Sequence, residues 1–157
     1  GGSLRAGGNI TPAAEANFYH DPHAADFVLR HGCNITLVGL DVTNRVICPR
    51  SFFARLASES PKMGGLLQDM AEFYIDFYET VGKFAGCGMH DPSALVACIA
   101  PELFTTEPHA LRVALSGDRA GEMIAVANST AQAVNVCTDV QAEAVKQNFF
   151  KNVAKLS

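Results

Sequence analysis

The chain has 157 residues, of which 48% are hydrophobic and 18% are charged, and its formal net charge at pH 7 is −4. This composition is typical of a globular protein and excludes the disordered, collagen-like and disulfide-rich classes. Nucleic acids and anionic membrane surfaces bind clustered Lys and Arg, which this acidic sequence lacks, so we expect neither partner.

The apolar stretches of the sequence are short. The longest, such as SALVACIA, are far below the ~18 residues that span a bilayer, so we expect no membrane segment. The N-terminus lacks the charged and then apolar layout of a signal peptide, which favours a cytoplasmic protein. The chain begins with Gly-Gly instead of Met, which indicates a piece of a longer protein. A homo-oligomer is compatible with the sequence, which leaves the oligomeric state open.

The first third of the chain contains one predicted helix and one predicted strand. The tripeptide His-Asp-Pro occurs first at residues 20–22, where Asp21 and Pro22 suit the N-cap and the first position of a short amphipathic helix that ends at Gly32. The apolar face of this helix is expected to contain Ala25, Val28 and Leu29. The run NITLVGLDVT, residues 34–43, is rich in β-branched and aliphatic side chains and predicts a buried strand of a mostly parallel sheet.

Helices dominate the middle of the chain. PRSFFARLASES and PKMGGLLQDMAEFYIDFYETVGKFAG have apolar residues at three- and four-residue spacing, which predicts two helices separated at Pro61 and extending through Phe84. A second His-Asp-Pro follows at residues 90–92, and it predicts a buried, almost wholly apolar helix over residues 91–100. LRVALSG, EMIAVANST and AVNVCTDV then predict three short strands with hairpin geometry. QAEAVKQNFFKNVAKLS predicts a final helix, so the fold class is α/β or α+β in one domain.

The five cysteines are irregularly spaced and form no C-x-x-C pair. A structural zinc site or a disulfide framework is therefore not expected. Cys87 lies three residues before His90, and a thiol nucleophile with its base is the alternative to a buried, unreactive cysteine.

Polar side chains near the start of the chain suit a ligand with several hydroxyl groups. Asn9, Glu15 and Asn17 stand in a segment that is otherwise rich in Gly and Ala. A carboxylate accepts hydrogen bonds and an amide both donates and accepts them, which matches a sugar. The alternative is that the two asparagines are turn residues and Glu15 is a solvated charge.

A second group of polar residues lies near the second His-Asp-Pro. His90 follows a Gly-rich turn and has the pKa range of a general acid or base, although it could also be satisfied by backbone. Asp91 could cap its helix or bind a hard cation such as Ca²⁺, which takes six to eight oxygen ligands. Tyr74 and Tyr78 are one helical turn apart, where simple core packing is the alternative to a ligand site.

Three stretches, in this order, resemble the C-terminal half of the inosine-uridine-preferring nucleoside hydrolases. They are GGSLRAGGNITPAAEANFYHDPHAAD, ITLVGLDVT and GMHDPSALVACIAPELF, and together the resemblance covers nearly the whole chain. The combination of GGN, Glu15, Asn17, GLDVT and the late MHDP is more specific than any single piece. The resemblance implies a Rossmann-like nucleoside hydrolase fold of the α/β class, with a mixed sheet and flanking helices, of which residues 1–157 form a partial domain.

The resemblance also implies an activity. Enzymes of this family hydrolyse the N-glycosidic bond of ribonucleosides to free base and ribose, and a tightly bound Ca²⁺ holds the ribose diol and the attacking water. On this resemblance Asn9, Glu15 and Asn17 hold ribose hydroxyls, and Asp91 is a calcium ligand.

On the same resemblance, His90 is the catalytic residue that protonates or positions the departing base. Tyr74 and Tyr78 line the base side of the pocket. The second His-Asp-Pro is then the chemical copy, whereas the first only begins a helix, with His20 at a variable position.

The sequence departs from the family in two places. Ala16 stands where the family has a large aromatic residue, and the Asp-rich motif D-T-D-x-G-x-D-D, which supplies the catalytic base and most calcium ligands, does not occur. We therefore expect the chain alone to be inactive and to bind Ca²⁺ weakly, with the remaining ligands coming from an N-terminal half. The alternative is a non-catalytic, truncated homologue that binds a ligand or forms oligomer contacts. The preference for purine or pyrimidine nucleosides stays open.

Overall fold

The computed structural model describes residues 1–81, 85–127 and 132–156. The chain divides into two compact units, the first made of Gly1–Val42 and Phe104–Val140 and the second of Thr43–Leu103 and Gln141–Ser157. The helices are α1 (Ala16–His20), α2 (Pro22–His31), α3 (Leu40–Thr43), α4 (Arg50–Glu59), α5 (Pro61–Thr80), α6 (His90–Ile99) and α7 (Ala142–Ala154), with a 3₁₀ turn at Pro101–Leu103. The strands are β1 (Thr36–Leu37), β2 (Ile47–Cys48), β3 (Cys87–Gly88), β4 (Phe104–Val113), β5 (Met123–Ala125) and β6 (Ala133–Val140).

The first unit contains a mixed four-stranded sheet in the order β1-β6-β4-β5. Only β1 and β6 are parallel, whereas β4 pairs antiparallel with both β5 and β6. The prediction of a mostly parallel sheet is therefore wrong, and the mixed α/β class is confirmed. The core of this unit is a cluster of buried side chains from α2 and all four strands: Leu29, Leu37, Leu111, Val113, Met123, Val134 and Val136.

Strand β4 is longer than the sequence predicts. It begins at Phe104, seven residues before the predicted LRVALSG segment, and it contains Pro108. Pro108 pairs with Asn135 of β6, whereas β5 pairs with β4 only at residues 111–113. A proline, which has no backbone N–H, is tolerated because no strand of the described residues pairs with β4 on its other side at this position.

The prediction of one strand over residues 34–43 is wrong. Only Thr36 and Leu37 form a strand, and the chain turns into the short helix α3 at Leu40. Gly39 lies against the N-terminal segment, where a Cβ would meet the carbonyl oxygen of Gly2 at 2.7 Å. The N–H of Leu40 donates to the same oxygen at 2.9 Å. A short apolar run fits a strand and a buried helix equally well, so tertiary contacts decide.

The second unit contains α4, α5, α6, α7 and a two-stranded antiparallel sheet of β2 and β3. The predicted break is confirmed, because Pro61 is the first residue of α5. Helices α4 and α5 approach closely at Gly64, where a Cβ would lie 2.3 Å from the carbonyl oxygen of Leu56. Leu56 forms a buried cluster with Phe150 and Val153 of α7, which confirms the predicted final helix.

The two His-Asp-Pro copies begin helices in different ways. Asp21 is the N-cap of α2, and its carboxylate accepts the N–H of Ala24 at 2.8 Å, as predicted. Helix α6 begins at His90 instead, so Asp91 lies in the first turn and is not a cap. The prediction that this helix is buried holds only for one face, because Leu95 and Ile99 are 66% and 60% exposed.

Helix α2 also differs from its predicted apolar face. Leu29 is buried, but Val28 is 54% exposed, and the buried polar residue on this helix is Asp26. Asp26 accepts hydrogen bonds from Arg30 on α2 and from Arg112 and Val113 on β4. A buried carboxylate with three donors is therefore part of the packing of α2 against the sheet.

Within residues 1–81, 85–127 and 132–156, no helix has the length and apolar character needed to cross a membrane. The predicted end of the second long helix at Phe84, and residues 128–130 of the second predicted strand, lie outside the described residues.

Candidate functional site

His90 lies in the second unit, at the first position of α6, and both nitrogens of its ring face a hydroxyl group. The Nδ1 atom is 2.8 Å from Oγ1 of Thr43, and the Nε2 atom is 3.0 Å from the phenolic oxygen of Tyr78. The side chain is half-buried. Thr43, Tyr78 and His90 all belong to the second unit, so this group depends on the fold of that unit.

Tyr78 and Tyr74 share one face of α5 but differ in their surroundings. Tyr78 is half-buried, its ring centroid lies 6.4 Å from that of His90, and burial is the main cause that raises the pKa of its phenol. Smaller contributions come from Cys87 and Tyr74. Tyr74 is 55% exposed, and its ring is perpendicular to that of Phe73, with the two centroids 5.9 Å apart. Simple core packing therefore does not account for Tyr74.

Asp91 is exposed at the N-terminus of α6, next to His90. Its carboxylate has no hydrogen-bond or ion-pair partner among the described residues. It is also not part of a cluster of three or more His, Cys, Asp or Glu side chains, since the described residues contain no such cluster that could hold a metal. Asp91 is thus an available oxygen ligand without companions in the described part of this chain.

Cys87, three residues before His90 in the sequence, lies in β3 opposite Cys48 of β2. Both thiols are buried, at 8% and 0% exposure. Burial raises the pKa of Cys48 to about 12 and that of Cys87 to about 11. A nucleophilic cysteine needs a lowered pKa and an accessible sulfur, so the geometry argues against a thiol hydrolase.

Glu15 organises the polar group of the first unit. Its side chain is buried, and its Oε2 atom accepts the backbone N–H groups of Gly2, Asn17 and Phe18 at 2.9, 3.1 and 3.2 Å. Its Oε1 atom accepts the amide of Asn17 at 3.1 Å. Glu15 is therefore the N-cap of α1 and not a solvated charge.

Asn9 and Asn17 are exposed and keep polar atoms that have no partner among the described residues. Oδ1 of Asn9 accepts the N–H of Ala16 at 2.8 Å, which leaves the amide NH₂ of Asn9 available. The amide NH₂ of Asn17 donates to Glu15, which leaves its Oδ1 available. Asn9, Glu15 and Asn17 are thus joined through the start of α1, and two of them present a free donor or acceptor.

The predicted site residues fall into two groups, one in each unit. Asn9, Glu15 and Asn17 form the first, and Tyr78, His90 and Asp91 form the second, with Tyr74 on the same helix as Tyr78. His20 is outside both groups, because its Nδ1 atom lies 2.6 Å from the carbonyl oxygen of Ala16 within α1.

Two residues with clear structural roles were missed because they lie in the segment wrongly predicted as a strand. Thr43 is 2% exposed and contacts His90, which is 47 positions away. Asp41 accepts the backbone N–H groups of Leu4, Arg5 and Ala6 at 2.7, 2.6 and 3.1 Å. A polar Asp and Thr inside the otherwise apolar GLDVT segment were the available signal.

Comparison with known proteins gives consistent results. The family model of the inosine-uridine preferring nucleoside hydrolases matches residues 1–147. A probable uridine nucleosidase of Oryza sativa subsp. japonica is 38% identical over 117 residues, which are 74% of this chain and 36% of that protein. A pyrimidine-specific ribonucleoside hydrolase of Shewanella woodyi is 33% identical over 120 residues, which are 76% of this chain and 38% of that protein.

Solved structures agree with the sequence matches. A purine-preferring ribonucleoside hydrolase from Gardnerella vaginalis superimposes with a TM-score of 0.92 at 33% identity, covering 99% of this chain and 51% of that one. A plant nucleoside hydrolase superimposes with the same TM-score at 28% identity and covers 98% of this chain. The chain spans about a third to a half of the length of these relatives. It belongs to the family of inosine-uridine preferring nucleoside hydrolases.

Proposed function

We propose that this chain is the C-terminal part of a calcium-dependent enzyme that hydrolyses the N-glycosidic bond of ribonucleosides to free base and ribose. Family membership supports the reaction class. The observation that carries the proposal is the half-buried imidazole of His90, held between two hydroxyl groups and followed directly by the available carboxylate of Asp91. The chain alone is proposed to be inactive.

His90 is proposed to act on the departing base. Cleavage of the C–N bond leaves electrons on the base nitrogen, and a proton delivered there lowers the barrier. An imidazole titrates near neutral pH and suits this transfer. A phenol is protonated at neutral pH, and the raised pKa of Tyr78 favours this form further, so its O–H can donate a hydrogen bond to Nε2 of His90. Tyr74, exposed on the same helix, is proposed to contact the base.

The group around Glu15 is proposed to bind the ribose hydroxyls. The free NH₂ of Asn9 can donate to a hydroxyl oxygen, and the free Oδ1 of Asn17 can accept a hydroxyl hydrogen. The two oxygens of Glu15 accept four hydrogen bonds, three from backbone N–H groups and one from the amide of Asn17. A carboxylate has about four lone-pair sites, so these bonds fill them. Its main part is therefore to hold the segment that presents the two amides.

The described residues do not by themselves fit a calcium ion. Ca²⁺ takes about six to eight oxygen ligands, whereas Asp91 has no neighbouring carboxylate with which it forms a metal cluster in the described ranges. Asp91 is proposed to supply one ligand, and the others are proposed to come from residues outside this chain.

A chimera tests the proposal, with the N-terminal half of the Gardnerella vaginalis hydrolase joined to this chain. The chain alone is expected to show no turnover of inosine or uridine, and the chimera is expected to hydrolyse at least one of them in a calcium-dependent way. In the chimera, His90→Ala should lower kcat by about 10²- to 10⁴-fold, and Asp91→Ala should raise the calcium concentration required. Cys98→Ser, at an exposed position of the same helix, is the matched control and should leave kcat unchanged.

Three results would contradict the proposal. Calcium-dependent turnover by the chain alone would show that no other half is needed. A chimera that folds but binds neither ribose nor Ca²⁺ in calorimetric titration would favour a non-catalytic chain for ligand binding or oligomer contacts. A His90→Ala chimera with unchanged kcat would remove the imidazole from the mechanism.

A further inference from the structure

The hydroxyl of Thr43 is positioned to control the ring of His90. Thr43 is the last residue of α3 and is 2% exposed, and its Oγ1 atom is 2.8 Å from Nδ1 of His90. The side chain of threonine is branched at Cβ, which restricts its χ1 rotation. A buried hydroxyl needs a hydrogen-bond partner, and the imidazole provides one.

Gly88 limits the ring from another side. A Cβ at Gly88 would lie 2.7 Å from Nε2 and 3.0 Å from Cε1 of His90, so the imidazole would have to move to admit it. Gly88 is fixed in β3, where it pairs with Ile47 of β2. The imidazole therefore lies against the backbone of Gly88, in a space that any larger residue would occupy.

A neutral imidazole has one N–H and one lone pair, so its two hydroxyl neighbours must take opposite roles. A phenol is more acidic than an aliphatic alcohol and is the better donor, whereas the alcohol is the better acceptor. The favoured arrangement has the phenol of Tyr78 donating to Nε2 and the Nδ1–H of His90 donating to Thr43. The nitrogen that carries the proton is set by the hydrogen bond of the other nitrogen.

We propose that Thr43 is a positioning residue that holds His90 as the Nδ1–H tautomer. The absence of a side chain at Gly88 leaves room for the ring in this position. Nε2 is then the only ring nitrogen at which neutral His90 can take up a proton, and it faces Tyr78. The catalytic meaning of this arrangement rests on the proposed function. The tautomer itself does not, because it is a property of the folded chain.

Long-range ¹H–¹⁵N correlation spectra of the ¹⁵N-histidine-labelled chain measure the protonation of each ring nitrogen directly. Loss of signals in His90→Gln assigns the resonances of His90 among the five histidines. At a pH where the ring is neutral, Nδ1 of His90 is expected to be protonated and Nε2 unprotonated. An Nε2–H tautomer in the unmodified chain would overturn the proposal without any variant.

Substitutions at position 43 then test the cause. Thr43→Val keeps the shape of the side chain but removes the acceptor, so His90 should change to the Nε2–H form, which free imidazoles prefer. Thr43→Ser should restore Nδ1–H, and the signals of His109 should stay unchanged in both variants. An unchanged His90 tautomer in Thr43→Val would overturn the proposal. If that variant fails to fold, Tyr78→Phe decides, because Nδ1–H should persist there while Thr43 still accepts.

The chimera adds a kinetic readout that separates this inference from the proposed function. Thr43→Val should lower kcat about tenfold, the lower end of the loss seen when the partners that orient metal-binding histidines are removed, with a smaller change in KM. Thr43→Ser should recover most of the loss. If the expected tautomer is observed but kcat does not respond, the positioning of the ring stands and the role of His90 in hydrolysis fails.

Discussion

The carboxylate of Asp26 accepts the backbone N–H of Val113 at 3.0 Å, although the two residues are 87 positions apart in the chain. Arg112 donates to the same oxygen at 3.1 Å, and Arg30 donates to the other at 3.3 Å. Burial acts to raise the pKa of Asp26, but the hydrogen bonds from Val113 and Arg112 and the two positive charges outweigh it, so the pKa is lowered. Asp26 thus ties α2 to β4 as an ionised group.

Asp26→Asn is expected to lower the free energy of unfolding by about 2 kcal/mol, because hydrogen bonds to buried charged groups are worth about 1.5–3 kcal/mol each and the two partly exposed arginines contribute less. Urea unfolding measures the change. Asp118→Asn, in an exposed turn, is the matched control and should change stability by less than about 0.5 kcal/mol. Equal effects of the two substitutions would contradict the role of Asp26.

The stabilisation by Asp26 should depend on pH in a defined direction. Its folded-state pKa lies below the unfolded value, which is about 3.9, so the contribution is fully present above that value and is lost as the pH falls through the folded-state pKa. The stability difference between the unmodified chain and Asp26→Asn should therefore be constant from pH 5 to 7 and shrink below about pH 4. A difference that grows in acid would contradict this sign.

Gly64 and Gly65 should respond in opposite ways to alanine. A Cβ at Gly64 would lie 2.3 Å from the backbone oxygen of Leu56, which cannot move without shifting α4, whereas a Cβ at Gly65 meets nothing within 4 Å. Gly64→Ala should therefore destabilise the chain by about 1–3 kcal/mol. Gly65→Ala should stabilise it by up to about 1 kcal/mol, because alanine favours the helix. Thermal unfolding of the two variants provides the comparison.

The five thiols should fall into two reactivity classes. Cys33 and Cys98 are exposed, whereas Cys48, Cys87 and Cys137 are buried and have raised pKa values. Brief iodoacetamide treatment at pH 8 should add two groups to the native chain and five after denaturation, as counted by intact mass. Rapid modification of Cys87 in the native chain would revive the thiol nucleophile.

The carboxylate of Asp41 should protect the amides of the segment that precedes it in unit 1. Its two oxygens accept the N–H groups of Leu4, Arg5 and Ala6. Asp41→Ala is expected to speed hydrogen exchange at these three amides because each loses its acceptor. Asp69→Ala, at an exposed position of α5, should leave them unchanged. Unchanged exchange in Asp41→Ala would show that other contacts order the segment.

Local periodicity was sufficient to predict the helices of the second unit. Apolar residues at three- and four-residue spacing identify α4, α5 and α7, and Pro61 marks the start of α5. Periodicity failed over residues 34–43, because Gly39 and Leu40 contact Gly2, which is distant in the sequence and therefore outside any local pattern. Periodicity also failed to identify the first seven residues of β4, because they include Pro108, and proline is rare within strands.

The candidate site was predicted mainly by resemblance. No local pattern distinguishes His90 from His20, and the hydroxyl partner of His90 is 47 positions away in sequence. The role of Glu15 as the N-cap of α1 was missed, although a carboxylate just before a helix was a signal for it. The calcium site, the cytoplasmic location and a homo-oligomer stay predictions.

The doubled tripeptide His-Asp-Pro shows how helix phase changes the meaning of identical letters. In the first copy the helix starts at the proline, so the carboxylate of the aspartate accepts a backbone N–H of the first turn. In the second copy the helix starts at the histidine, two residues before the proline. The aspartate then lies within the first turn and does not cap the helix. A search for this motif in other chains would therefore discriminate better by scoring the onset of the helix than by matching the three letters.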